Sequence, residues 1–211
     1  AYEITVRDWS SDVCSSDCPK LEEATVPACA KYVTANIFKG CKSLKEIKVH
    51  PDNQYYFSQD GVLFGPWVDE GVPQYSDPNL TLIGYPTGSE RKEYTIPKKV
   101  NKRNVNRIWS GALAKAENLE HITIPQNIKI IGSGAFAASG LKELTIPDTV
   151  EDMDVFSTFA NCKALREVTF PDSVKEIGML TFEGCTSLQK VNMDGVRKLG
   201  MECFKDCVRT V

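Results

Sequence analysis

The sequence predicts an α/β-type solenoid: a right-handed coil with a parallel β-sheet on its concave face, short helical or irregular returns on its convex face, and one inserted β-hairpin. The first observation is a phrase written three times, as Leu119-Glu-His-Ile-Thr-Ile-Pro125, Leu141-Lys-Glu-Leu-Thr-Ile-Pro147 and Leu165-Arg-Glu-Val-Thr-Phe-Pro171. Its leucines step by 22 (119 to 141) and 24 (141 to 165), and periods in this range mark stacked repeats. The second observation is a companion phrase after each: Ile131-Gly-Ser-Gly-Ala-Phe136, Ser157-Thr-Phe-Ala-Asn-Cys162 and Ile177-Gly-Met-Leu-Thr-Phe-Glu-Gly-Cys185. One coil therefore reads L-x-x-I-x-I-P, a V-x-x-I-G turn, then A/T-F-x-x-C.

In the first phrase the last two apolar residues stand two apart, which puts them on one face of a short strand and the residues between them on the other. Strands are predicted near Ile4, Ala24, Ile47, Tyr94, Ile122, Leu144, Val168 and Val191. Pro125, Pro147 and Pro171 end their strands because proline has no amide for the ladder. The A-F-x-x-C phrase brings the chain back on the opposite side and carries one aromatic inward. Phe136, Phe159 and Phe182 form the expected spine, each beside a small residue, Ala135, Thr158 or Thr181. No coil can bury its apolar set alone, so neighbours must stack into a continuous core.

These phrases resemble the BspA-like leucine-rich repeat family of bacterial surface proteins, whose units carry the same I-P strand end and A-F-x-x-C return. The resemblance covers almost all of the 211 residues. It implies a leucine-rich repeat fold and a non-enzymatic binding module of a secreted or cell-surface protein, making protein-protein or adhesion contacts from an extracellular or surface location. The other reading is a structural spacer that displays further domains. The family also carries a D-G-V-L-F and Y-P excursion, matched by residues 60–64 and by Tyr85-Pro86.

Taken in order, the chain opens inside a repeat, with Glu3-Ile-Thr-Val6 paralleling Glu143-Leu-Thr-Ile146. Residues 7–18 leave the pattern. They read as an artefact, translated sequencing-adapter bases, which would make Cys14 and Cys18 accidental; the alternative is a natural irregular turn closed by a Cys14–Cys18 disulfide. Leu21-Glu-Glu-Ala-Thr-Val-Pro27 restarts the pattern, Ile37, Phe38 and Cys41 complete that coil, and Leu44 begins the next. Residues 50–90 form an inserted hairpin excursion, because Asp60-Gly61 stands between apolar alternating runs. Ile47 and Tyr94 are then expected on neighbouring strands. Within the excursion, Asn79-Leu-Thr81 is a glycosylation sequon, meaningful in a eukaryotic secretory pathway. Tyr94-Thr-Ile-Pro97 resumes the series, and residues 101–106 lengthen that unit by a loop bulge. The closing unit starts at Leu188 and ends at Cys207, and the single domain of residues 1–211 is expected to belong to a longer array, since open solenoid ends expose core.

Several functions are excluded by what is missing. With 42% hydrophobic and 25% charged residues and a net charge of −3, the chain shows no basic stripe for a nucleic-acid partner. It has no apolar run long enough for membrane insertion. Cys41, Cys162, Cys185 and Cys207 each fall three residues after a phenylalanine, so the repeat explains them as small inward residues. Neither Cys14 with Cys18 nor Cys203 with Cys207 has C-x-x-C spacing, and only His50 and His121 could add imidazole, so neither metal nor cofactor is predicted. Gly132-Ser133-Gly134 lacks the nucleophile-elbow pattern and reads as a turn. No catalytic residue is assigned.

Two candidate surfaces remain for a protein or glycan ligand. Outward strand positions stack into columns, and Glu93, Thr95, His121, Thr123, Glu143, Thr145, Glu167 and Thr169 are the candidate concave face. The bland reading is a solvated lattice in which Lys45, Lys92, Lys142 and Arg166 offset the glutamates that follow them. The second candidate is the excursion, where Tyr56, Trp67, Tyr75 and Tyr85 could anchor a ligand or cover the hairpin's own core.

Overall fold

The computed structural model describes residues 3–4, 18–33, 35–38, 40–69, 71–153 and 156–207. The irregular segment 7–17, with Cys14, lies outside the described residues.

Each coil has three sides. On the first, the leucine phrase forms strands Glu3–Ile4, Glu23–Val26, Glu46–Val49, Glu93–Thr95, His121–Thr123, Glu143–Thr145, Glu167–Thr169 and Lys190–Asn192, one at every predicted centre. They pair in parallel and in register within three successive sheets, with Ala24 opposite Ile47, Tyr94 opposite Ile122, and Leu144 and Val191 flanking Val168. Alternation decides the faces: Leu144 and Val168 are buried while the glutamates and threonines beside them point out.

The second side differs from expectation. The V-x-x-I-G phrase, read as a turn, makes its own parallel ladder from Leu80–Gly84, Arg103–Ile108, Ile130–Ile131 and Asp152–Met153. Ile108 lies opposite both Leu82 and Ile131, and further along Glu176–Ile177 pairs with Lys198–Leu199. Two-residue strands are too short to show a period-2 pattern in sequence.

On the third side the returns are irregular, one of the two expected forms, and no α-helix is formed among the described residues, so the helical part of the expected α/β class is not realised. The helical piece among the described residues is one 3-10 turn, Ala35–Phe38. Every later return instead carries two left-handed residues four apart: Gly111 and Lys115, Gly134 and Ala138, Ser157 and Asn161, Leu180 and Gly184, Glu202 and Asp206. Amides between them alternate in their use. Ala137 N closes a turn on Gly134 O at 3.0 Å, whereas Phe136 N donates to Thr158 O of the next coil at 3.0 Å. Phe159 N and Phe182 N reach Thr181 O and Cys203 O in the same way. An α-helix needs successive amides for its own carbonyls, and here alternate ones go to the neighbouring coil.

This forward bonding sets the aromatic spine. Phe136 and Phe159 stack at 5.6 Å between centroids, Phe159 and Phe182 at 5.4 Å, and Phe182 and Phe204 at 5.3 Å, with interplanar angles of 6°, 13° and 3°. The first three rings are fully buried; Phe204, on the last coil, is 37% exposed. The cysteines three residues on are more than small filler. Cys162 Sγ donates to Phe136 O at 3.0 Å, Cys185 Sγ to Phe159 O at 3.1 Å and Cys207 Sγ to Phe182 O at 3.1 Å. Cys41, Cys162 and Cys185 are buried as predicted, while Cys207 is only partly covered. Burial raises the Cys162 and Cys185 thiols and lifts Cys203 to about 11. Coils also approach closely at Gly140, where a Cβ would lie 2.0 Å from Glu117 O.

The excursion is a partition. Phe57–Gln59 and Val62–Gly65 form a hairpin around Asp60 and Gly61, whose positive φ values of 53° and 71° suit a two-residue turn. Val62–Gly65 pairs antiparallel with Leu80–Gly84, which runs on parallel beside Arg103–Ile108. Both faces of this pair are buried. Leu63 and Ile83 join one core with Val26, Leu44 and Ile47, while Val62, Phe64, Leu80 and Leu82 join the other, which extends to Cys203. Continuous burial on two faces removes the alternation that would have marked these strands.

The partition overturns the expectation that Ile47 and Tyr94 lie on neighbouring strands. Ile47 N donates to Gly61 O at 2.9 Å, Ser58 Oγ donates to Ile47 O, and Arg91 donates to Asp60 O at 2.6 Å from the far side. The hairpin's turn therefore occupies the place between them. The bulge at 101–106 is likewise ordered: Lys99–Val100 folds back on Arg103 and Asn104 through Asn101 and Lys102, both with positive φ.

Two expectations follow. Phe159→Ala removes a ring sandwiched between Phe136 and Phe182, and urea unfolding should show a loss of about 3 to 5 kcal/mol. Hydrogen exchange should place the first loss of protection in the coils of Phe136 and Phe182, because repeats couple mainly to their neighbours; equal loss at Ile47 and Val168 would contradict it. Cys162 and Cys185 should stay unreactive to a thiol-labelling disulfide at pH 8 until the chain is denatured, while exposed Cys29 labels at once.

Candidate binding surface

The first-side ladder delivers the candidate column residue by residue. Glu93 faces His121 and Thr95 faces Thr123; Glu143 faces Glu167 and Thr145 faces Thr169; Glu167 then faces Lys190. Six of the eight predicted positions, His121, Thr123, Glu143, Thr145, Glu167 and Thr169, line one groove of about 550 Å³. Glu93 and Thr95 lie on the adjoining strand, outside that lining. Sequence reasoning missed Gln126 and the apolar floor of Ile122, Ile124, Leu144 and Pro147. Inward-pattern residues reach a groove only where strands separate, and no single-coil pattern reports that.

Charge is unevenly offset along the column. Lys48 lies 2.6 Å from Glu23 and 3.6 Å from Glu46, and Lys190 lies 2.5 Å from Glu167. At the groove, Glu143 has only His121, whose Nδ1 is 3.6 Å from the Glu143 carboxylate, and Glu93 makes no ion pair among the described residues. The lysines expected to neutralise the glutamates after them do otherwise. Lys45 pairs with Glu22, while Lys92 and Lys142 converge on Glu120. Hydrogen bonds first from Lys142 and then from Lys92 hold the Glu120 carboxyl down at about 2. Glu120 therefore ties three coils together at one edge of the groove and leaves Glu93 and Glu143 without a cation.

The aromatic candidate comes apart. Tyr56 is 1% exposed, accepting from Val33 N at 2.8 Å and donating to Lys31 O at 3.2 Å. Tyr85 is 4% exposed and packs 5.4 Å from Tyr94. Both are core, as covers of the hairpin partition. Trp67 is half-buried between Trp109 at 5.2 Å and the Arg107 guanidinium at 5.3 Å, and Arg107 also binds Asp77 at 2.6 Å. Only Tyr75, tilted at 41° against Tyr55 with ring centroids 4.3 Å apart and with its hydroxyl on Lys31 O, keeps an exposed face. Tyr56 and Tyr75 thus bring their hydroxyls to the same Lys31 carbonyl, while Trp67 packs on Trp109 and Tyr85 on Tyr94.

The remaining motifs have structural uses. Ser133 Oγ donates to Phe156 O of the next coil at 2.8 Å, and His50 Nδ1 accepts from Asp52 N at 3.2 Å. The sequon's Thr81 is fully buried, and Asn79 Nδ2 is engaged by Asp77 Oδ1 at 2.9 Å. Among the described residues, no group of three or more His, Cys, Asp or Glu side chains is placed to hold a metal ion.

Comparison with solved structures finds the same fold. A leucine rich cell surface protein from Faecalibacterium prausnitzii A2-165 superposes with a TM-score of 0.60 at 24% identity, over 84% of this chain and 49% of that one. A leucine-rich repeat protein from Eubacterium ventriosum gives 0.64 at 18% identity, over 90% and 60%. The pneumococcal vaccine antigen PcpA gives 0.53 at 23% identity, over 90% and 46%. The chain thus spans about half to three-fifths of these proteins' lengths. A search of curated proteins gives no match. The BspA type leucine rich repeat region is matched in six copies over residues 10–60 and 90–210, and the chain belongs to that family.

Proposed function

We propose that this chain is a non-enzymatic protein-binding module of a secreted or cell-surface protein, making adhesion-type contacts through the concave groove. The observation that carries the reading is the convergence of six outward positions from three coils on one groove, over a floor of largely buried apolar side chains of which Ile122 is partly exposed. Those positions stand on paired strands, so the surface is preformed and little ordering is needed on binding. Repeat solenoids use such extended faces for partners. A surface location is favoured by the F. prausnitzii protein, described as a cell surface protein, and by PcpA, described as a vaccine antigen. No helix among the described residues is long and apolar enough to cross a membrane.

A spacer or display role is the second reading, favoured by the coil-by-coil pairing of Lys48 with Glu23 and Lys190 with Glu167 at the two ends of the column. Panning a displayed-peptide library on the immobilised chain separates the two. Binding sequences should be enriched, and replacing both Thr145 and Thr169 with arginine should weaken them about tenfold or more, the size of a central interface contact, without lowering the melting temperature. A library that yields no enriched sequence would favour the spacer.

A further inference from the structure

Among the described residues the first-side ladder is broken twice: the hairpin's turn occupies the break between Glu46–Val49 and Glu93–Thr95, and the break between His121–Thr123 and Glu143–Thr145 is left open. Paired coils on either side make matching backbone bonds, Ile96 N to Thr123 O at 3.0 Å and Ile146 N to Thr169 O at 2.9 Å. The equivalent bond from Ile124 N to Thr145 O is not made, and His121–Thr123 and Glu143–Thr145 belong to separate sheets. The two coils nonetheless touch at both ends of the opening. Lys142 N donates to Glu120 O at 3.0 Å, and Thr149 Oγ1 donates to Ile128 O at 2.9 Å. Between those points the strands part, and the unbonded Ile124 N and Thr145 O face a gap that opens into the groove of about 550 Å³.

The cleft coincides with the stretch of the column that lacks cations. Glu93 and Glu143 flank His121 on successive strands, and the lysines that could have neutralised them are drawn to Glu120 instead. At Glu23, Glu46 and Glu167, by contrast, a lysine of the same or an adjacent strand lies beside the glutamate. Unmet main-chain donors and acceptors, threonine hydroxyls and uncompensated carboxylates therefore occur together.

We propose that this opening is the docking site for an extended, lysine- or arginine-bearing segment of a partner protein, an inference that rests on the protein-binding reading above. The segment lies extended along the groove over this opening, where threonine hydroxyls and the unbonded Ile124 amide and Thr145 carbonyl offer it polar partners. Its cationic side chains meet Glu93 and Glu143, where charge complementarity favours them and disfavours acidic competitors. Anionic partners such as nucleic acid meet the same two carboxylates unfavourably.

The test combines hydrogen exchange with peptide titration on the full chain. In the free protein the Ile124 amide should exchange about tenfold or more faster than the Ile146 amide, since only the latter is bonded to the next coil. A labelled Lys-Thr-Lys-Thr-Lys peptide should bind, slow exchange at Ile124, and weaken with added salt. Glu93→Gln and Glu143→Gln should each weaken it about two- to fivefold, as for exposed charge pairs, while Glu-Thr-Glu-Thr-Glu should not bind. Equal protection of Ile124 and Ile146 in the free chain would remove the cleft and overturn the proposal. Library peptides that are neutral or acidic, lost in the Thr145 and Thr169 variant but indifferent to both glutamine variants, would overturn the basic-segment proposal and leave the protein-binding reading standing. Failure of every peptide would overturn both.

Discussion

Each return gives the amide of its inward aromatic to the coil that follows, as Phe136 N does to Thr158 O and Phe159 N to Thr181 O, and this forward bond imposes one register on all the coils it joins. Much else follows from it. Rings attached at the same point of successive coils must lie one coil apart and nearly parallel, which accounts for the stacks from Phe136 to Phe204. Thiols three residues later are brought against the phenylalanine carbonyl of the preceding coil, where a small side chain with a donor fits and a methyl group would leave that contact unmade. The same bond denies the returns a helix.

The hairpin partition shows how such an array tolerates an insertion of several tens of residues. Its strands do not loop away from the stack; they take up a coil's place within it, with Gly61 O accepting from Ile47 N on one side and Leu82 aligned with Ile108 on the other. Both faces meet apolar side chains, so one wall closes two cores at once. Ladder bonds satisfy the backbone groups of the buried wall, which would otherwise be costly to bury.

The proposed recognition surface coincides with the place where this regularity lapses. Glu120 draws Lys92 and Lys142 to one edge of the groove, and its carboxyl, held down at about 2 by those two ammonium groups, stays ionised at any physiological pH. Beside that anchor the main chains separate and the outward carboxylates stand alone. A perfect ladder would present only a neutralised lattice of Glu, Lys and Thr; a parted one adds main-chain polarity and an apolar floor to the same side chains.

The family, the strand centres, the inward spine and the outward column were all legible from the residues, because each is a property of a single coil: alternation, a proline stop, and a small residue beside an aromatic. Six of the eight column positions meet in the groove for that reason. What one coil does to another was not legible. That alternate amides of the returns cross to the next coil, that the I-G phrase forms a second ladder, and that Lys92 and Lys142 share Glu120 all depend on contacts between residues a full coil or more apart. The placement of the hairpin between Ile47 and Tyr94 and the parting at Ile124 are of the same kind. Local pattern determined which side chains face in and which face out, while the energy of stacking coils against one another decided which neighbours they meet.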